Sequence, residues 1–151
     1  MRKFIVFLIL LMIAALAYLA YAHFSGGAIP TFGLPLGGEK AKIRERTKIF
    51  FENLKFKNIN ALRDFVSQDS SPEQFSHYLK ENLGLDLEKI DLEKVEVENI
   101  ELDSLQQRAR VKIKLEGREL VTKKPFAYER IVFLFRGQDD KWLFDVNSTS
   151  L

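Results

Sequence analysis

The segment that decides the fold reads QRARVKIKL and runs from Gln107 to Leu115. Apolar residues alternate with arginine and lysine along it, which is the pattern of a β-strand with one buried face and one face in water. Such a strand needs antiparallel neighbours that bury the same apolar row. The flanking sequence is therefore expected to supply them.

The preceding segment, from about Glu93, supplies one neighbour. Its apolar side chains change phase, so we predict a one-residue bulge near Asn99 that keeps them all inside. The resulting register pairs Leu102 with Gln107. It also sets acids opposite the basic row in three pairs: Glu101 with Arg108, Glu98 with Arg110, and Glu96 with Lys112. Opposite charges that face each other across strands neutralise that row, so it does not indicate a nucleic-acid stripe.

Two more strands follow. Residues 126–136 are apolar on both faces in their second half, 131–135, which predicts a strand covered on both sides. The sequence from Gly137 to Asp140 predicts a turn, and Trp142, Phe144 and Val146 then form the inward face of a last strand.

Helical patterns precede these strands. Residues 39–56 carry an amphipathic stripe, and residues 57–60, which include Asn58 and Asn60, read as a break with an asparagine cap before a short second helix over residues 61–66. Ser71 to Gln74 reads as a capping box with proline at the first helical position, and Gly84 can end that third helix. The predicted class is α+β: about three helices, then a bent antiparallel four-stranded meander.

Residues 1–24 are expected to be a membrane anchor or a signal segment. Phe4 to Ala22 contains no charge, which suits a helix that spans about 30 Å of hydrocarbon. A cleaved signal peptide is the alternative, because Ala20-Tyr21-Ala22 supplies a cleavage pattern. In both cases Arg2 and Lys3 stay in the cytoplasm and the remainder is exported.

The domain boundaries follow from this. Residues 25–38 are rich in glycine and proline and read as a linker, and residues 39–151 form the domain. The linker is expected to be a flexible spacer. The alternative is that its apolar side chains rest on the bilayer surface or on the domain: Ile29, Phe32, Leu34 and Leu36. The expected location is the cytoplasmic membrane, single-pass, with the C-terminal domain outside. The alternative is a secreted or periplasmic protein released by signal cleavage.

Composition excludes several functions. Removing residues 1–22 takes away Arg2 and Lys3 and no acid, so 23 basic and 21 acidic side chains become 21 and 21. A neutral domain does not indicate nucleic-acid binding. The chain has no cysteine and two histidines far apart, so we predict neither a metal site nor a cofactor.

Three segments resemble the nuclear-transport-factor-2-like superfamily, also called ketosteroid-isomerase-like or SnoaL-like. They are residues 50–55 (FFENLK), the break at Asn58 leading into residues 62–65 (LRDF), and residues 139–144 (DDKWLF). The resemblance spans about residues 39–147, and Asn58 stands where many members carry aspartate. It implies a bent sheet around the first helix, enclosing a pocket that members use for catalysis, ligand binding or dimerisation.

Candidate site residues follow from that implied pocket. Glu129 shares a strand phase with Ile131, Phe133 and Phe135, and a carboxyl group among aromatics would have a raised pKa and act as a base, as in members of the superfamily. The catalytic candidates are Glu129, Tyr128 and Asp145. The ligand-binding candidates are Trp142, Phe133 and Tyr128, although Trp142 also suits the core and Glu129 also suits an ion pair facing water.

The function stays open among three hypotheses. The first is a membrane-tethered extracytoplasmic binding domain without catalysis, held by residues 4–22, that binds a partner protein, a second copy or a small apolar ligand. The second is an exported isomerase- or dehydratase-type enzyme. The third is a structural subunit of an envelope or secretion assembly, since the chain also resembles in topology the inner-membrane scaffold subunits of type IV secretion systems.

Overall fold

Helices come first along the chain and the antiparallel sheet follows. The computed structural model describes residues 2–32 and 34–148. Within them the helices are α1 (Arg2–Phe24), α2 (Gly38–Lys55), α3 (Ile59–Leu62) and α4 (Pro72–His77). The strands are β1 (Ile90–Leu102), β2 (Arg108–Glu119), β3 (Pro125–Arg136) and β4 (Trp142–Phe144), paired in that order. The α+β class and the four-stranded meander are confirmed.

The chain divides into two units, Met1–Arg44 and Glu45–Leu151. The aromatic core of the second unit centres on Phe50 of α2. Its ring stacks on Phe144 of β4 at 4.0 Å and meets Phe51 and Phe65 edge-on at 5.0 and 5.9 Å. These large buried rings and their stacked and edge contacts hold α2 against the sheet.

The register between β1 and β2 differs from the prediction by two residues. Leu102 pairs with Ala109 and not with Gln107. The turn explains the shift: the Asp103 carboxylate accepts hydrogen bonds from the backbone N–H groups of Gln107 and Arg108, at 2.7 and 3.0 Å. The Asp103 N–H also donates to the Arg108 carbonyl, so pairing continues one step beyond Leu102.

The predicted bulge is present, between Val97 and Asn99. The three predicted charge pairs are wrong because the register is shifted, yet acids still neutralise the basic row. Ion pairs of that row are Arg110 with Glu101 at 3.2 Å, Lys112 with Glu98 at 3.0 Å and with Glu129 at 2.8 Å, and Lys114 with Glu116 at 2.5 Å.

Strand β3 is covered on one face only, so the prediction of cover on both faces is wrong. Val132 and Leu134 are buried, whereas Ile131, Phe133 and Phe135 are half-buried on the outer face. The β2 residues paired with these three have long stems that cover part of the apolar surface: Lys112, Arg110 and Arg108.

The first predicted helix matches α2 and the third begins after Ser71 as predicted, whereas the second begins earlier, at Ile59, and continues as a 3-10 turn over Arg63–Phe65. Ser71 Oγ accepts from the Gln74 N–H at 3.2 Å and Gln74 Oε1 accepts from the Ser71 N–H at 2.8 Å, which confirms the capping box. Gly84 takes a left-handed φ of 68° after a π-helical turn. Asn58 does not cap α3, because its side chain donates to Asn53 Oδ1 at 3.3 Å.

The segment after α1 makes defined contacts with that helix. The Tyr18 hydroxyl donates to the Pro30 carbonyl at 2.7 Å, and the Gly37 N–H donates to His23 Nδ1 at 3.3 Å. Gly37 has a φ of 92°, and a Cβ there would lie 2.7 Å from the Gly27 nitrogen, so only glycine fits. By length and composition α1 is able to cross a membrane, a test that a signal sequence also passes.

Candidate functional site

The second unit has a cleft of about 1490 Å³. One side is formed by the helical segments and loops between Lys57 and Glu88, and the other by the end of β3 and the β3–β4 turn. Short elements and their loops build the first side, and the capping box at Ser71 fixes where α4 begins. The cleft therefore lies between the helical segments and the end of the sheet at which β3 turns into β4.

The floor of the cleft is apolar. Leu79, Leu85 and Val66 line it as buried side chains, and Phe75 and Leu143 are half-buried. Phe135, at the end of β3, also lines it. Apolar floors with polar rims are the usual composition of binding sites.

Charged side chains surround that floor in nearly equal numbers. The basic ones are Arg46, Lys57, Arg63, Lys80, Arg136 and Lys141, and the acidic ones are Asp64, Asp69, Asp86, Glu88 and Asp139. Some of them form ion pairs, as Asp86 does with Lys80 at 3.9 Å and with Lys89 at 3.3 Å. Such a balanced rim does not favour a strongly anionic or strongly cationic ligand.

Two of the rim groups are held by specific contacts. Partial burial favours the neutral acid at Asp86, but hydrogen bonds from the Glu88 N–H and the Lys89 side chain, with the charge of Lys80, bring its pKa below the usual value. Arg46 donates through Nε to the Trp142 carbonyl at 2.6 Å, and its guanidinium lies 4.3 Å over the Phe65 ring. These contacts are structural and fix the wall of the cleft.

Glu129 lies on the outer face of the sheet, not among the core aromatics. Its side chain is 59% exposed and pairs with Lys112 at 2.8 Å. The hydrogen bond and the charge of Lys112 lower its pKa, so the expectation of a raised pKa is wrong. A catalytic role for Glu129 stays a prediction, and the exposure of its carboxylate does not support it.

Tyr128 and Asp145, the other catalytic candidates, have separate surroundings. Tyr128 points to the opposite face from Glu129, stacks on Phe126 at 4.8 Å and lies 4.9 Å beneath the Arg130 guanidinium. Asp145 follows β4 and accepts hydrogen bonds from the Asn147 N–H at 3.1 Å and the Ser148 hydroxyl at 2.6 Å. Asp145 thus organises a turn.

The two remaining ligand-binding candidates also lie away from the cleft lining. Trp142 is 2% exposed and belongs to the core. Phe133 is half-buried on the outer face of β3. None of the five predicted site residues lines the cleft, and their roles in binding stay predictions.

The cleft residues were missed because no motif marks them. The nearest signals are the capping box at Ser71 and the acidic turn before Trp142, which the sequence predicts as structural features and which border the cleft. Among residues 2–32 and 34–148, no three histidine, aspartate or glutamate side chains converge as metal ligands.

Comparison with known proteins identifies the fold. Neither a protein-family model nor a curated protein sequence matches the chain. Among solved structures, a ketosteroid isomerase-like protein from Erwinia carotovora atroseptica SCRI1043 is similar, with a TM-score of 0.55 and 15% identity over 72% of this chain and 92% of that one. At that identity the likeness concerns the fold alone. The chain therefore has the ketosteroid-isomerase-like, nuclear-transport-factor-2-like fold.

Proposed function

We propose that this protein is a membrane-tethered binding module whose Glu45–Leu151 unit takes a polypeptide segment of a partner protein into the cleft. The observation that carries the proposal is the size and lining of that cleft. At about 1490 Å³ it exceeds the ~300–1,000 Å³ typical of small-molecule pockets. Its apolar floor and balanced charged rim suit a peptide, which offers both apolar side chains and backbone polar groups.

The tether is supported by α1 and by the chain on either side of it. No charged residue occurs from Phe4 to Gly38, and Arg2 and Lys3 precede the apolar stretch, which favours a cytoplasmic N-terminus and an exported second unit.

Binding is favoured over acid-base catalysis by the state of the two candidate carboxylates. Glu129 is ion-paired in water and Asp145 is engaged in a turn. A general base at neutral pH needs a pKa tuned towards that range, usually by burial. The lowered pKa of Glu129 is the opposite of that requirement.

The test is site-specific photocrosslinking of the full-length protein in its native cells. A photoreactive amino acid is placed at Ser76, which is exposed and lines the cleft, and at Lys124, which is exposed and does not. We expect one discrete adduct with a single protein from Ser76 and none from Lys124.

Two phenylalanines of β3 provide the matched control. Phe133 and Phe135 lie on the same face and are both half-buried, but only Phe135 lines the cleft. Phe135→Ser should remove the Ser76 adduct, because a central aromatic contact is often worth about 2 kcal/mol or more, about 30-fold in affinity. Phe133→Ser should retain it. Equal loss in both variants, or loss only with Phe133→Ser, would move the interaction to the outer sheet face and contradict the proposal.

A further inference from the structure

The segment after α1 returns along that helix. We call residues 28–32 and 34–36 the apolar loop. The Tyr18 hydroxyl donates to the Pro30 carbonyl at 2.7 Å, and the ring centroids of Tyr18 and Phe32 are 6.1 Å apart. Tyr18 precedes Phe24, the last residue of α1, by six positions, or about 9 Å along the helix axis. The loop thus lies beside the last turns of α1 and not beyond its end.

The surface that the apolar loop adds to α1 is exposed and uncharged. Phe32 is 83% exposed, Leu34 is 47% exposed and the neighbouring Phe24 is 82% exposed. Phe32 also holds a left-handed φ of 51° while its ring stays outside the protein. A strained aromatic residue that packs so little within its own chain is arranged for an outside contact.

Some backbone polar groups of the loop are paired within the chain. Pro30 and Pro35 have no N–H group. The Leu34 N–H donates to the Thr31 carbonyl at 3.0 Å and the Leu36 N–H to the Leu34 carbonyl at 2.8 Å. The Tyr18 hydroxyl meets the Pro30 carbonyl. Each such pair lowers the cost of placing irregular backbone close to lipid.

We propose that the apolar loop inserts into the outer-leaflet interface of the phospholipid bilayer that α1 crosses, with Phe32 and Leu34 in contact with lipid. If Phe4 to Ala22 fills the hydrocarbon, Tyr18 lies about 6 Å inside its outer boundary, and the loop residues bonded to it share that depth. Tyrosine and phenylalanine at this level match the aromatic belt of membrane proteins. The loop is a second membrane contact that restrains the depth and rotation of α1. This inference rests on the proposed tether and adds to it.

The chain has no cysteine, so single-cysteine variants of the full-length protein place one fluorescent label at a chosen site. The protein is reconstituted in vesicles of phosphatidylethanolamine and phosphatidylglycerol, and quenching by doxyl-labelled phosphatidylcholine is compared with quenching by aqueous iodide. Labels go to Phe32→Cys and Leu34→Cys, with Leu11→Cys as the mid-helix reference and Lys124→Cys as the aqueous reference. Two loop positions keep the test valid if one label disturbs the turn.

We expect lipid quenching and loss of iodide quenching at both loop positions, as at Leu11, and the reverse at Lys124. Iodide quenching at Phe32 and Leu34 with lipid quenching at Leu11 would overturn the loop insertion and leave the tether standing. Protection of the loop labels from both quenchers would mean that protein covers it, which also overturns the inference. Iodide quenching at Leu11 would overturn the tether itself and the insertion with it.

Discussion

Removal of one buried hydroxyl group should stabilise the protein. Tyr78 is 2% exposed, and its hydroxyl has no hydrogen-bond partner among the residues that the structure describes. An unsatisfied buried polar group costs about 1–3 kcal/mol, and Tyr78→Phe removes the group while keeping the ring that packs in the core. We expect the free energy of unfolding to rise by about 1 kcal/mol, or about 4–8 °C in Tm for a unit of this size.

The assay is urea unfolding of the full-length protein in detergent, followed by the fluorescence of Trp142. This is the only tryptophan of the chain, and at 2% exposure its emission reports the opening of the core. Tyr128→Phe is the matched control: its phenol is half-buried, so we expect a change within about 0.5 kcal/mol. A loss of stability in Tyr78→Phe would refute the reasoning, because it would show that the hydroxyl has a partner.

The same residue predicts an alkaline limit. Burial, and then the charge of Asp145, raise the pKa of Tyr78 well above its usual value of about 10. A raised folded-state pKa means that the folded protein favours the neutral phenol over the phenolate. Stability is therefore independent of this ionisation below the unfolded pKa and falls as the pH rises above it towards the folded pKa. Unfolding curves measured above pH ~10 should therefore fall more steeply for the natural protein than for Tyr78→Phe, and parallel curves would contradict the assignment.

Two further substitutions test the sheet. Gly117→Ala should lower the free energy of unfolding by about 1–3 kcal/mol, more than a surface change does, because its Cβ would lie 2.2 Å from the Asp91 carbonyl oxygen and force β1 and β2 apart; an unchanged urea midpoint would show that the strands adjust freely. Glu129→Gln should leave the urea midpoint at pH 7 unchanged, because its pair with Lys112 is exposed and screened; a clear drop would give that ion pair a larger structural role.

Local signals in the sequence were enough to predict the order and type of the elements. The alternation over residues 107–115, the capping box at Ser71 and the left-handed Gly84 each act within a few residues, and each is present in the structure. The register of β1 against β2 was not predictable in the same way. The register depends on which backbone N–H groups the Asp103 carboxylate accepts hydrogen bonds from. Several are within reach, so the sequence alone does not determine the choice.

The apolar loop shows the same limit for a different reason. The glycine and proline content of residues 25–38, which include the loop, predicts a spacer, and that composition is shared by flexible linkers and by tight folded turns. The distinguishing contacts are between residues far apart in sequence: Tyr18 with Pro30, and His23 with Gly37. Only the close approach at Gly37, where a Cβ has no room, explains why glycine stands there.

Glu129 was predicted to face the pocket but faces outward, and the cause is the length of the loop between β2 and β3, which decides which residues of β3 face inward. Arg118 pairs with Pro125, and the loop between them closes with the Glu119 N–H bonded to the Lys124 carbonyl at 2.9 Å. This length sets the buried odd-numbered row of β2 opposite the even-numbered residues of β3, so Tyr128 faces inward and Glu129 outward. A loop one residue longer or shorter would exchange the two faces. Because residues 131–135 are apolar on both faces, the strand itself carries no signal that decides between them. The turn between β2 and β3 therefore decides which polar side chains of β3 face inward. Assigning a catalytic carboxylate to this strand from the sequence requires that the turn be predicted first.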